Sequence, residues 1–169
     1  CLKVMPNSHI PFHWPRLDKD QLLCISIQDI PDCCWSGGLK IDEINSLHVN
    51  VRDSNGRVYF LRLEVLLQGA TFFIIFTDAD TLPPPIRVDN FSEVTIRFAQ
   101  TCCKDLMHST ARAHSSVPYA WDQPTERQFL TVTVPGGVSE TYDLNKLGSA
   151  SSLTYENFIY IAFTGTFKK

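Results

Sequence analysis

The feature that most limits what this chain can fold into is that it repeats itself. Residues 8–18 read SHIPFHWPRLD and residues 115–125 read SSVPYAWDQPT. At an offset of 107, Ser8 falls on Ser115, Ile10 on Val117, Pro11 on Pro118, Phe12 on Tyr119 and Trp14 on Trp121. The register continues without a gap, setting Gln21 on Gln128, Leu23 on Leu130, Ile25 on Val132 and Ile27 on Val134. Self-similarity at such a spacing marks an array in which each copy is one supersecondary unit leaning on its neighbours. A second match sets FLRLEV (60–65) on FIYIAF (158–163) at an offset of 98, so the first copy carries a small insertion between Gln28 and Arg57. The copies overlap incompletely. IRVDNFSEVTIRFAQ (86–100) has no earlier partner, because its counterpart would precede Cys1, and TFFIIF (71–76) has no later one. The start at Cys1 rather than Met reads as a piece of a longer chain, with the array extending at least toward the N-terminus.

Period-two alternation and β-branched or aromatic runs recur along the sequence: residues 22–27 (LLCISI), 47–51 (LHVNV), 59–67 (YFLRLEVLL), 71–76 (TFFIIF), 94–98 (VTIRF), 129–134 (FLTVTV) and 158–163 (FIYIAF). These are strand patterns. Ser36-Gly37-Gly38, Asn55-Gly56, Gly69, Pro135-Gly136-Gly137 and Gly148 punctuate them as turns, and Asn55-Gly56 between two alternating runs is a hairpin cue. Helical periodicity is weak, and residues 102–112 read as a loop. The expected fold is all-β: antiparallel, β-sandwich-like tandem repeats. Residues 1–82 would be the C-terminal part of one repeat and 86–169 the next, opening on a strand that leads to Asn90. Pro83, Pro84 and Pro85 between them read either as an extended spacer or as an edge segment.

The chain's 169 residues suffice for a sizeable core, and 44% apolar with 20% charged is the balance of a folded protein. A net charge of −3 argues against nucleic acid or an anionic membrane as the main partner, since both need a basic face. The most apolar stretch, residues 72–76, is far shorter than the ~20 residues of a membrane span. Direct membrane insertion is therefore not expected. Six cysteines include two adjacent pairs, Cys33-Cys34 and Cys102-Cys103, which lack the spacing of zinc ligands. Neighbours in a strand point to opposite faces, so reduced, partly buried thiols are expected. Asn90-Phe91-Ser92 is a formal glycosylation sequon that matters only in a secretory compartment.

The remaining chemistry-bearing residues form no constellation. No nucleophile elbow, P-loop or dinucleotide fingerprint occurs. Pro11 breaks any helix that would converge His9 and His13, and on a strand they would stand ~13 Å apart. His108 and His114 lie in loop sequence without a partner, and Asp78-Ala79-Asp80 is too sparse for a calcium cage. No metal, cofactor or catalytic residue is expected, and the chain reads as a binding module rather than an enzyme. Trp14 and Trp121 stand at equivalent places, with Pro11 and Pro118 as companion repeat markers. Each indole either plugs its own unit's core, which its size favours, or stands exposed as a peptide anchor. Tyr119, Tyr155, Phe158 and Tyr160 add aromatic side chains near the second copy. Asn90, before Phe91-Ser92, can bond its own backbone and hold a turn or bulge.

WSGG (35–38), FLRLEVLLQGATFFIIF (60–76), PPPIRVDNFSEV (83–94), SSVPYAWDQPT (115–125) and YENFIYIAF (155–163) together resemble the adaptor-binding domain of the vacuolar protein sorting thirteen family, the D-type paralogue most closely. The resemblance covers nearly the whole chain. It implies a segment of a bridge-like lipid-transfer protein whose domain of six β-rich repeats recruits it to organelles. In fungal relatives that domain captures short Pro-x-Pro peptides of membrane adaptors. For the D type the implied partner is a mitochondrial outer-membrane adaptor of the Miro GTPase kind. Asn90 matches the asparagine that recurs near the start of each family repeat, which would make the chain the end of repeat five and most of repeat six. The implied location is cytoplasmic and peripheral, at contacts among mitochondria, endoplasmic reticulum, endosomes and Golgi. Candidate partner-binding residues on this reading are Asn90, Phe91, Tyr119, Trp121, Tyr155, Phe158 and Tyr160, and the mode is strand addition. The competing reading is a purely structural segment that shapes a larger lipid-transfer protein.

Overall fold

The computed structural model describes residues 1–79, 82–103 and 107–154. The strands there are all antiparallel, with 3-10 geometry at Ala79 and in a turn at Thr101–Cys103. The first half builds a three-stranded sheet, β1 (Asn45–Arg52), β2 (Val58–Gln68) and β3 (Thr71–Asp78), in that order. Asn45 faces Val65 and Arg52 faces Val58 across β1 and β2, and Gln68 faces Thr71 across β2 and β3. Alternation explains the core. Val49, Val51, Leu63 and Val65 fall on one face and are buried with Leu39 and Ile41. Trp14, Leu23, Ile25 and Ile27 from the irregular N-terminal segment close over them. Asn55-Gly56 does make the β1–β2 hairpin, through a five-residue loop. The Asp53 carboxylate accepts the N–H groups of Asn55 and Arg57 at 2.9 Å each, and Gly56 takes φ +78°, where a Cβ would strain the turn.

The second half stacks two sheets. One pairs β4 (Ile86–Asn90) with β7 (Ser115–Tyr119); the other runs β6 (Ser109–Ala111), β5 (Ile96–Gln100), β8 (Phe129–Thr133), β9 (Ser139–Asp143). Phe98, Ala111, Tyr119, Trp121 and Leu130 fill the space between, flanked by Ile86, Val88, Ile96, Val117 and Val132. Tyr119 meets Phe98 and Trp121 edge to face, with centroids 5.5 and 5.6 Å apart. In the first copy Phe12 and Trp14 repeat that geometry at 4.9 Å and 81°. Pro118 sits on β7 opposite Arg87, and a two-stranded sheet leaves a proline room to turn its missing N–H outward.

Some expectations shift. Residues 22–27 are extended but form no ladder, only a bridge from Leu23 to Leu39. Their counterpart β8 has β5 on one side and β9 on the other, whereas residues 22–27 have only the 36–39 segment to pair with. Leu23 faces Leu39, while Leu130 faces Tyr142, so the first copy's intervening loop is four residues longer and holds part of the expected insertion. The 94–98 strand begins two residues later, at Ile96, because Asn90 and Ser92 hold Val94 in a turn. The loop read at 102–112 contains the 3-10 turn and β6. The strand expected at 158–163 lies outside the described residues.

Candidate functional site

Three features in the described residues could serve a partner or hold the surface that does: a knot on Asn90, a polar junction between the two halves, and the apolar open edge of the first sheet.

Asn90 ends β4 and is only 4% exposed. Its amide N–H groups donate to the carbonyls of Val94 (2.8 Å), Ala111 (3.1 Å) and Arg112 (2.8 Å). Its Oδ1 accepts the Ser92 N–H at 3.1 Å and the Ser92 hydroxyl at 2.7 Å. One side chain thus ties the end of β4, the following turn and the end of β6. Phe91 beside it is 84% exposed, which a knot held wholly by polar bonds permits. On the same strand the Asp89 carboxyl titrates below its ordinary range, held ionised first by the Ser116 hydroxyl and then by Arg87.

The junction centres on Asp122, which follows Trp121 at the end of the aromatic stack. The Arg52 guanidinium donates to it from Nε at 2.7 Å and Nη2 at 3.1 Å, with side-chain exposures of 7% and 2%. Asn50 adds Nδ2 at 3.0 Å, and the Tyr119 hydroxyl donates at 3.2 Å. That hydroxyl in turn accepts the Gln100 N–H at 3.1 Å, and burial followed by the Asp122 charge pushes its pKa far above the phenolic norm. Arg52 also reaches the His108 carbonyl and the Ser109 hydroxyl. Burial, then Arg97 and Arg52, lower the His108 pKa. Gly37 completes the contact. A Cβ there would lie 2.3 Å from the Asp122 carbonyl oxygen, so only glycine permits this approach. The junction was not apparent in the sequence. Asn50 and Arg52 alternate with Val49 and Val51 as solvent-facing residues do, yet both are buried against the second half. One signal was present: Asp122 replaces Pro15 at the matching place, directly after a core tryptophan.

The third feature is β3. Among the described residues nothing pairs with its outer side, whereas one end of β1 is closed by a bridge from Cys33 to Asp53. Ile74 and Phe76 turn toward the core, while Phe73 and Ile75 face outward and are exposed, together with Leu66 on β2. Leu67 and Phe72, exposed at the hairpin tip, lie on the opposite face, that of Val65 and Ile74, and residues 65–77 carry no charge. Edge strands are usually blunted by charge, proline or bulges, and before its last residue, Asp78, this one is not.

The candidates from the sequence separate accordingly. Tyr119 and Trp121 are buried in the second core and Trp14 packs on the first, so these two indoles plug cores, whereas that of Trp35 is exposed. Pro11 lies in an exposed, irregular stretch. Asn90 is a buried pin and Phe91 an exposed ring. Tyr155, Phe158 and Tyr160 lie outside the described residues. No group of three or more His, Cys, Asp or Glu side chains converges among the described residues, and no helix there is long and apolar enough to cross a membrane.

Fold and surface together define an all-β tandem-repeat interaction module, in which a polar junction fixes one half on the other and, among the described residues, an apolar strand edge is unpaired. Comparison with known sequences gives the family. The profile of the vacuolar-sorting associated protein 13 adaptor-binding domain matches residues 1–128, and the chain belongs to that family, which is a binding rather than a catalytic one. It is similar to the human intermembrane lipid transfer protein VPS13D, 47% identical over 169 residues, and to Drosophila melanogaster Vps13D, 47% identical over 164 residues. These alignments cover 98% and 96% of this chain but 4% of each relative, so the chain spans a small part of those proteins' length. A Dictyostelium discoideum vps13D is 28% identical over 137 residues, covering 78% of the chain.

Proposed function

We propose that this module recruits a lipid-transfer protein to an organelle membrane by capturing a short, extended, proline-containing adaptor peptide as an added strand on β3. The observation that carries the reading is the outer edge of β3, unpaired among the described residues and without charge from Thr71 to Thr77, in a chain of the adaptor-binding family. Strand addition takes affinity from main-chain hydrogen bonds and specificity from pockets for alternate side chains. A Pro-x-Pro peptide suits this chemistry. Its prolines, two apart, both turn their N atoms away from the sheet, and the residue between them spends its N–H and C=O on β3. The prolines then lie against Phe73, Ile75 and Leu66. Phe91 supplies a further exposed aromatic contact, and Asn90 holds the turn that presents it. A mitochondrial outer-membrane adaptor of the Miro type is the partner this reading favours.

Calorimetry of the chain with a Pro-x-Pro peptide tests it. Binding should occur, should fall at least tenfold in Ile75→Lys, and should weaken in Asn90→Ser. Absence of binding to any such peptide, with the circular dichroism of a folded chain, rejects the reading and leaves the structural-segment alternative. In that case deletion would change the shape of the lipid-transfer protein but not its targeting.

A further inference from the structure

The six cysteines are free thiols, and the two adjacent pairs differ in geometry. Cys33 and Cys34 lie in extended chain beside β1. The Cys33 sulfur accepts the Ile27 N–H at 3.3 Å and donates to the Cys34 carbonyl at 3.5 Å, so it is engaged with backbone rather than with its neighbour's sulfur. Cys102 and Cys103 occupy the 3-10 turn Thr101–Cys103, where strand alternation no longer parts them, and their sulfurs stand 3.4 Å apart. The turn is held at both ends. Thr101 Oγ1 donates to the Phe129 carbonyl at 3.0 Å, and the Cys103 carbonyl accepts the Met107 N–H at 2.8 Å.

We propose that Cys102 and Cys103 form a two-sulfur clamp for a thiophilic trivalent arsenical, binding one R–As(III) per chain. A disulfide is a poor use of this pair. Adjacent Cα atoms are ~3.8 Å apart, inside the ~4.4 Å lower bound of ordinary disulfides, so closing an S–S bond of ~2.05 Å would strain the turn. A bridging atom removes that demand. With bonds of ~2.3 Å, the length of a zinc–thiolate bond, two sulfurs 3.4 Å apart subtend an angle near 95° at the bridging atom. That angle suits a pyramidal trivalent centre, which needs two sulfurs and keeps its organic group. Tetrahedral zinc would need further ligands, and among the described residues no third His, Cys, Asp or Glu joins the pair. Access also fits: Cys102 is exposed and Cys103 is buried behind it. Burial, reinforced by Cys102, pushes the Cys103 thiol up to about 12, so the exposed sulfur makes the first bond and the inner one follows. With an oxide R–As=O, two As–S bonds form, the arsenic–oxygen bond breaks, and both thiol protons leave with that oxygen as water. No electrons are transferred.

Phenylarsine oxide and intact-mass spectrometry of the folded chain test the site. The expected result is one phenylarsenic group per chain, retained in excess glutathione and removed by dimercaprol. Cys102→Ser should lose the retained adduct, and Cys33→Ser with Cys34→Ser should keep it. An adduct that persists in Cys102→Ser, one lost with the 33–34 pair, or no retained adduct on the folded wild-type chain would overturn the assignment. Because Cys102 is exposed, its substitution leaves the fold intact and the result readable even if Cys103→Ser does not fold.

Discussion

Substituting Asp122 by Asn should cost the fold about 3–5 kcal/mol. The carboxylate is 2% exposed and accepts from Arg52 Nε and Nη2, Asn50 Nδ2 and the Tyr119 hydroxyl. An amide of the same shape keeps one oxygen for Arg52 Nε. Its NH₂ group then replaces the oxygen that faced Arg52 Nη2 and Tyr119, setting donor against donor at the guanidinium and removing the hydroxyl's acceptor. The guanidinium, 7% exposed, is left without a counter-charge, and breaking a buried pair from one side costs about 3–5 kcal/mol. For a chain of this size that lowers the melting midpoint by roughly 6–20 °C, at 2–4 °C per kcal/mol. Urea unfolding followed by tryptophan fluorescence measures the loss, since Trp121 stacks on Tyr119 beside the pair. Asp18→Asn is the control. Its Arg16 partner makes an equally short bond, 2.6 Å, but in water, so the change there should leave the unfolding midpoint nearly unmoved. Replacing both partners, Arg52→Met with Asp122→Leu, should recover part of the loss, because no charge is then stranded although the Tyr119 hydroxyl and an Asn50 N–H lose their acceptor. An Asp122→Asn midpoint matching the Asp18→Asn control, or a double variant whose loss is the sum of the singles, would refute the reasoning.

Asn90→Ala strips three carbonyls and the Ser92 N–H of their partner, and should cost about 2–4 kcal/mol in the same urea assay, more than a surface substitution can. Gly37→Ala puts a methyl 2.3 Å from the Asp122 carbonyl oxygen and should cost about 1–3 kcal/mol; a neutral result would show that the halves can separate slightly at no cost. Ser116→Ala removes the main cause of the depressed Asp89 pKa, so the carboxyl should titrate at higher pH by NMR. A depressed folded-state pKa gives stability that is present above the unfolded carboxylate value and is lost as pH falls through the folded one. The wild-type chain should therefore lose this contribution at a lower pH than the variant does.

How much of this was legible depends on which partner each residue needed. Strands whose apolar alternation faces a core, such as LHVNV and YFLRLEVLL, announced themselves. Strands without a long apolar alternation did not. SETYD becomes β9 because β8 offers it an edge, and SSVPY becomes β7 because IRVDN lies beside it. Residues 22–27 carry a better strand pattern than either and form no ladder, for lack of neighbours. The site divides the same way. Asn90 declared a local turn, because its nearest partners are Ser92 and Val94, but not its reach to Ala111 and Arg112. Arg52 and Asp122 are 70 residues apart, and nothing local in either stretch distinguishes a buried charge from a solvated one.

The junction's chemistry bears on what the module presents to a partner. An apolar contact between repeats would serve stability as well as an ion pair does, since a buried pair roughly cancels its own desolvation. Direction is what the polar contact adds. A bidentate guanidinium, an Asn50 amide that also reaches the Ala120 carbonyl at 3.3 Å, and a glycine in close approach admit one orientation of the sheet on its neighbour. The strand that carries Asn50 and Arg52 belongs to the sheet whose far edge is β3, so fixing the junction fixes where that edge points. The Arg52→Met, Asp122→Leu variant separates the two effects. It should remain folded, with urea stability above that of Asp122→Asn, and should lose the unique orientation. Residual dipolar couplings make the difference measurable. In the wild-type chain one alignment tensor should fit amides of β1–β3 and β4–β9 together, and in the variant each half should need its own. A single tensor in the stable variant would show that packing alone sets the angle, and that the ion pair does nothing a hydrocarbon would not.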